Sequence, residues 1–290
     1  MRMKTVGFFW LLSITMIPCA NAQLLVRDKG DFIISLEQQF VRAKEAYQLN
    51  DNVLSLPTLN QYTSKAYLAY GFSHRLSAFT SVPFLQAVTL NRTIGKGSGD
   101  TLFLGDRNIG FADPEIGLKY AFYKSPTTVL NATALVGLPW GESRQANDLR
   151  TGDGEFNQQV GVEATYSFPH SHHFISIRAA YNNRTKGFAD ECLYSAQWGY
   201  TIQNRWSLLL SVKGNQTLYN GQYYDASGEL IGGSKGLYAN NEAKHQLVPE
   251  LNYHLNKTLA LQGRCEFIFI GRNTLKAPLY SVGFIFHSRQ

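Results

Sequence analysis

Between Asp113 and Gly141 the chain carries two strictly alternating runs around a Lys124-Ser125-Pro126 turn, and few folds can accept them. In the first run Ile116, Leu118, Tyr120 and Phe122 share one face, while Glu115, Gly117, Lys119 and Ala121 share the other. In the second, Leu130, Ala132, Ala134, Val136 and Leu138 oppose Val129, Asn131, Thr133, Leu135 and Gly137. A period of two is that of a half-buried strand, so the stretch predicts an antiparallel hairpin with one apolar and one largely polar face. Such an apolar face meets a second sheet in a soluble sandwich, or lipid in a membrane barrel whose polar face lines the interior.

The N-terminus supplies an address. Arg2 and Lys4 precede an apolar run from Val6 to Ile17, and Ala20-Asn21-Ala22 offers small residues for cleavage before Gln23. Residues 1–22 therefore read as a secretory signal peptide, leaving 23–290 as one large β-domain. Cys19 invites a lipoprotein reading, but Pro18 stands where lipid attachment needs a small residue. Beyond the leader no apolar run reaches the ~18 residues of a membrane helix, and a secreted chain can still span a bilayer by closing a barrel. The formal net charge of +6 includes Arg2 and Lys4 of the leader. What remains is mild, and no Lys/Arg cluster forms on one periodic face, so nucleic acid is not an expected partner. Cys192 and Cys265 fall at outward positions of separate strands, where no disulfide is expected.

In order, alternation predicts strands at Asp31–Phe40, Tyr62–Phe72, Leu76–Phe84, the two of the hairpin, and then runs around Val160–Phe168, Ile175–Asn182, Leu193–Tyr200 and Trp206–Lys213. Three more are built around Leu247–Leu255, Leu259–Phe269 and Leu279–His287. A polar segment from the first strand to about Asn60 is expected to be loop. Long Gly-rich connections alternate with turns of a few residues, and Tyr, Trp and Phe recur at the ends of the apolar faces. The expected fold is all-β: a transmembrane antiparallel up-and-down barrel of about 12 strands, with short periplasmic turns, longer extracellular loops and both termini in the periplasm.

Several motifs together resemble a known family. They are Asp113-Pro-Glu-Ile-Gly-Leu-Lys-Tyr, Leu138-Pro-Trp-Gly, Thr151-Gly-Asp-Gly-Glu-Phe, Gly187-Phe-Ala-Asp-Glu and Gln203-Asn-Arg-Trp-Ser-Leu-Leu-Leu. In order and spacing they are similar to the outer-membrane proteins of the phenol meta-degradation pathway. The resemblance spans most of the mature chain and implies a Gram-negative outer-membrane barrel that passes small, often aromatic or hydrophobic, compounds. Outer-membrane lipid and, during biogenesis, the barrel-assembly machinery are then the expected partners, together with a small solute. One departure is the tail, where His287-Ser288-Arg289-Gln290 follows the aromatic Phe286.

Read literally, alternation puts Glu37, Lys65, Glu115, Lys119, Glu163, Arg178, Glu191, Lys213, Glu250, Arg264 and Glu266 on inward faces as channel-lining candidates. Acids and bases nearly balance, which argues against strong selection of ions by a charge ring. Such a set forms either a polar eyelet around a solute path or a cross-strand salt-bridge network that closes the barrel. In the second case the long loops, above all Tyr219 to Tyr238, would bind a partner. A third alternative, a lipid hydrolase, needs a Ser and a His on the rim, and the outward faces carry almost no His. No catalytic group, metal or cofactor is assigned. His170, His172 and His173 crowd a short turn without a regular ligand arrangement. Asp148, Asp153 and Glu155 are weighed for calcium, but the Thr-Gly-Asp-Gly run reads more plainly as a turn before a strand.

Overall fold

The computed structural model describes residues 26–50, 52–95, 97, 99–143 and 147–288, so the expected signal peptide lies outside the described residues. The strands are β1 (Phe32–Tyr47), β2 (Val53–Gly71), β3 (Leu76–Leu90), β4 (Thr93–Ile94), β5 (Thr101–Phe103), β6 (Asp106–Gly110), β7 (Glu115–Lys124) and β8 (Thr128–Gly137). They continue with β9 (Asn157–Ser167), β10 (His173–Arg184), β11 (Glu191–Ile202), β12 (Trp206–Thr217), β13 (Ala243–His254), β14 (Leu259–Arg272), β15 (Thr274–Leu275) and β16 (Leu279–His287).

Each long strand pairs antiparallel with its sequence neighbours, and β1 pairs with both β2 and β16, which closes the sheet into a barrel of 12 strands. Closure pairs every edge, which a sheet facing lipid requires. β6 and β7 both pair with β3 and act as one interrupted wall strand. β15 and β16 do the same against β1. Turns of a few residues and the first and last described residues lie at one end of the barrel, here the turn end. The β8–β9 and β12–β13 connections are at the other, the loop end.

The expected period of two is realised. In β7, Ile116, Leu118, Tyr120 and Phe122 are exposed while Gly117, Lys119 and Ala121 are buried. The same outward exposure holds for Val282 at 65% and Phe284 at 55% on β16. An apolar surface of this extent, carried round a closed wall, suits hydrocarbon rather than water. Paired aromatics mark its turn-end edge, where Trp206 packs on Tyr253 with centroids 4.4 Å apart and His173 stacks on Tyr200 at 4.3 Å.

One expectation fails. The segment from Phe40 to Asn60 is not a loop, because β1 and β2 stay in register as far as Tyr47↔Val53 and leave only Gln48–Asn52 as connection. Beyond Phe40 the sense of the alternation inverts: outward Arg42 and Lys44 are exposed, and inward Val41 and Ala43 are buried at 8% and 0%. The strands run past the apolar band, so their outer face meets water while their inner face meets packed loop. The β14–β16 connection is likewise short. Long loops are thus a feature of part of the loop end, not of every connection there.

Candidate functional site

All eleven inward candidates occupy the inner face as buried or half-buried side chains. The structure gathers most of them into two groups on different parts of the wall. On one side Lys119 Nζ lies 3.3 Å from Glu163 Oε2, reaching from β7 to β9 across the small Thr133 of β8. The Ser176 hydroxyl donates to Glu163 Oε1 at 3.3 Å, and Arg178 donates to Gln159. On the other side Arg264 bridges Glu37 at 2.5 Å and Glu266 at 3.3 Å. Lys213 approaches Glu266 at 4.0 Å, and Glu250, the cross-strand neighbour of Arg264, accepts from Asn252 at 2.9 Å. Lys65 lies within electrostatic reach of Lys213 and Glu266. Glu115 and Glu191 stand apart from both groups, at the loop ends of β7 and β11.

The loop end is filled by loops that fold inward. Leu149 of the β8–β9 loop and Leu237 of the β12–β13 loop are buried at 1% and 5% in one apolar cluster with Val41, Ala43, Leu59, Val88 and Leu90 of the wall. Tyr238 joins them, and its hydroxyl donates to the Thr151 carbonyl at 2.7 Å and lies 3.0 Å from Gln86 Oε1. Burial holds that phenol well above its ordinary range. Further out Ser234 N–H and hydroxyl donate to Asp148, which also pairs with Arg150 at 2.7 Å. The two loops are therefore bonded to each other as well as to the wall.

Thr151 to Glu155 is the second fastening. Asp113, in the break between β6 and β7, accepts the Gly141 N–H at 2.7 Å and the Asp153 N–H at 2.9 Å. Gly152 is required here, since a Cβ would sit 2.5 Å from both Asp113 carboxyl oxygens. Arg184, at the loop end of β10, then binds Asp153 at 3.0 Å, Glu155 at 2.5 Å and Glu191 at 3.0 Å. Three carboxylates share one guanidinium, and Asp113 lies beside them. Burial, with the Asp153 charge adding to it, pushes Glu155 up to about 7 against the pull of Arg184. The same two causes push Asp113 up to about 6, against the two backbone N–H groups it accepts.

Sequence reasoning did not single out Leu149, Leu237, Tyr238, Asp113 or Arg184 as functional positions. The alternation Ser176, Arg178, Ala180, Asn182 reaches Arg184 if it is extended by one step, so that residue was within reach. The Tyr219–Tyr238 segment, the partner-binding loop of the closed-barrel alternative, turns its last residues, Leu237 and Tyr238, into the mouth. The calcium candidates part company: Asp148 engages Arg150 and Ser234, whereas Asp153 and Glu155 engage Arg184. The three histidines do not converge either, since His173 stacks on Tyr200 while His170 and His172 lie exposed in the turn. Cys192 and Cys265 are free thiols.

The sequence model of the family described as "Putative MetA-pathway of phenol degradation" matches residues 57–282. No curated protein matches the chain. Among solved structures, the COG4313 outer membrane channel from Pseudomonas putida F1 aligns with a TM-score of 0.62 at 14% identity, covering 93% of this chain and 99% of that one. The NanC porin aligns with a TM-score of 0.50 at 8% identity, covering 87% and 98%. At these identities the likeness is one of fold: an antiparallel barrel of the kind found in Gram-negative outer-membrane channels.

Proposed function

The chain belongs to the phenol MetA-pathway family, and from that premise we propose that it is an outer-membrane channel for small solutes, aromatic or hydrophobic ones among them. One observation carries the reading. The interior is a closed wall with hydrogen-bonding and ionisable side chains along it, and its loop end is covered by two loops held through side chains rather than strand pairing. Side-chain fastenings can be broken without opening the barrel, so the cover can move while the wall stays intact.

In this reading the signal peptide directs the chain to the periplasm, the assembly machinery inserts it, and the outward apolar band meets outer-membrane lipid. The loop end faces outside. A solute passes the Leu149–Leu237–Tyr238 cluster and then the charged belt of Lys119, Glu163, Arg178, Arg264, Glu37, Glu266, Lys213, Glu250 and Lys65. The near balance of these charges favours neutral solutes over either sign of ion. The second reading, a barrel that transports nothing and is closed by its own ion pairs, is favoured by the tight Arg264–Glu37 and Lys119–Glu163 contacts. Flux separates the two. Liposomes carrying the refolded barrel are offered a small sugar, an ion and phenol. Passage of phenol supports the channel, and a folded barrel that passes none of the three supports the closed alternative.

A further inference from the structure

The residues just before β1 are tied to the turn end of the barrel at three levels. Gly30 N–H donates to the Gly71 carbonyl and Gly71 N–H to the Asp31 carbonyl, both at 2.9 Å, so the segment crosses the end of β2. Gly71 has to be glycine, because a Cβ there would lie 2.1 Å from the Asp28 carbonyl oxygen. At the rim the Asp28 carboxylate pairs with Lys124 at 2.8 Å and with His74 at 3.4 Å, two residues flanking neighbouring turns. Inside, Val26 is buried at 6%, Arg27 N–H donates to Ser77 Oγ at 2.7 Å, and that hydroxyl donates back to the Arg27 carbonyl at 3.4 Å.

We propose that residues 26–31 are a displaceable plug of the turn-end mouth, clasped at the rim by Asp28 and seated in the lumen by Arg27. The idea rests on the channel reading and adds a second, independent closure at the opposite end from the loops. The seat is placed to matter for passage. Ser77, to which the Arg27 backbone is bonded in both directions, is the cross-strand partner of Lys119 in the β3–β7 pairing. The segment is therefore anchored on the strand beside the Lys119–Glu163 pair. The rim clasp is solvent-exposed, with side-chain exposures of 56% for Asp28 and 35% for Lys124, and exposed pairs hold weakly. A weak clasp around a seat held by the bonds of one serine hydroxyl gives a closed state that can be left.

The test removes the outer closure first, with Tyr238→Ala, so that the turn end alone limits flux. In that background, with Cys192 and Cys265 changed to serine, three barrels are compared by single-channel conductance. One is otherwise intact, one lacks residues 23–27, and one carries Asp28→Cys with Lys124→Cys. A heat-dependent gel shift establishes that each barrel has folded. The plug predicts a several-fold higher conductance after truncation, and a low conductance of the cysteine pair under oxidation that rises when it is reduced. Equal conductance with and without the segment, or of the oxidised and reduced pair, overturns the plug and leaves the channel standing. If even the truncated barrel passes no current and no phenol, the channel reading falls and the plug with it.

Discussion

The Tyr238 hydroxyl donates to the Thr151 carbonyl oxygen at 2.7 Å, which joins the two long loops inside the mouth of the barrel. The same hydroxyl reaches Gln86 on the wall at 3.0 Å. Tyr238→Phe keeps the ring in the apolar cluster but removes the hydroxyl and its bond to the other loop, worth about 0.5–1.5 kcal/mol. Amide exchange at residues 147–155 is expected to speed up by roughly tenfold, with the exchange of the wall strands unchanged. Unaltered loop exchange would show that the phenol group does not fasten the loops.

The carboxylate cluster makes the cover dependent on pH. Glu155 has its folded value raised from 4.5 to about 7, and Asp113 from 3.8 to about 6. A raised carboxyl binds its proton more readily in the folded loop than in a free one. That contribution is full below the unfolded values and is lost as pH rises through about 6 to 7. The β8–β9 loop is therefore held more firmly at pH near 5 than near 8, with Arg184, Asp153 and Glu191 completing the charges that face it. Intrinsic-rate-corrected amide exchange at Gly152 and Asp153, followed across this range, is expected to rise with pH. A fall with pH would contradict the protonated latch.

Lys119 and Glu163 have side-chain exposures of 9% and 1%. Lys119→Ala leaves a buried carboxylate without its cation and is expected to cost about 3–5 kcal/mol, whereas replacing both by methionine is expected to be close to neutral. Denaturant unfolding of the barrel in lipid vesicles measures both. A single variant as stable as the wild type would mean that Glu163 is hydrated through the lumen rather than held by the pair.

The outward face is tested separately. Leu118, 51% exposed on β7, precedes Lys119 and points the other way. Leu118→Arg puts a charge into hydrocarbon and is expected to cost about 2–4 kcal/mol if this position lies near the bilayer midplane. Insertion into vesicles would fall accordingly. A variant that inserts like the wild type would place this face in water.

The wall was legible in the sequence because its signal is local. Ile116, Leu118, Tyr120 and Phe122 declare their face through the period of two, and Lys119 and Glu163 declare theirs by standing between such residues. Where the environment of a face changes along one strand, the same rule misleads. Arg42 and Lys44 read as loop because they leave the apolar band, while Val41 and Ala43 turn inward to meet Leu149 and Leu237. The mouth itself was not legible. Tyr238 and Thr151 are 87 residues apart, and nothing in either neighbourhood shows which loop fills the barrel. Asp113 likewise gains its role from a break in the wall that only the pairing of β6 and β7 with β3 reveals.

The central claim, a solute path closed by inward-folded loops, is tested most directly by phenol flux into liposomes. The intact barrel is compared with one in which Leu149→Ser and Tyr238→Ala loosen the cover, each checked by a heat-dependent gel shift. The account predicts measurable flux through the intact barrel and a several-fold increase through the loosened one. Folded barrels of both kinds that leave phenol uptake at the level of empty liposomes would contradict it.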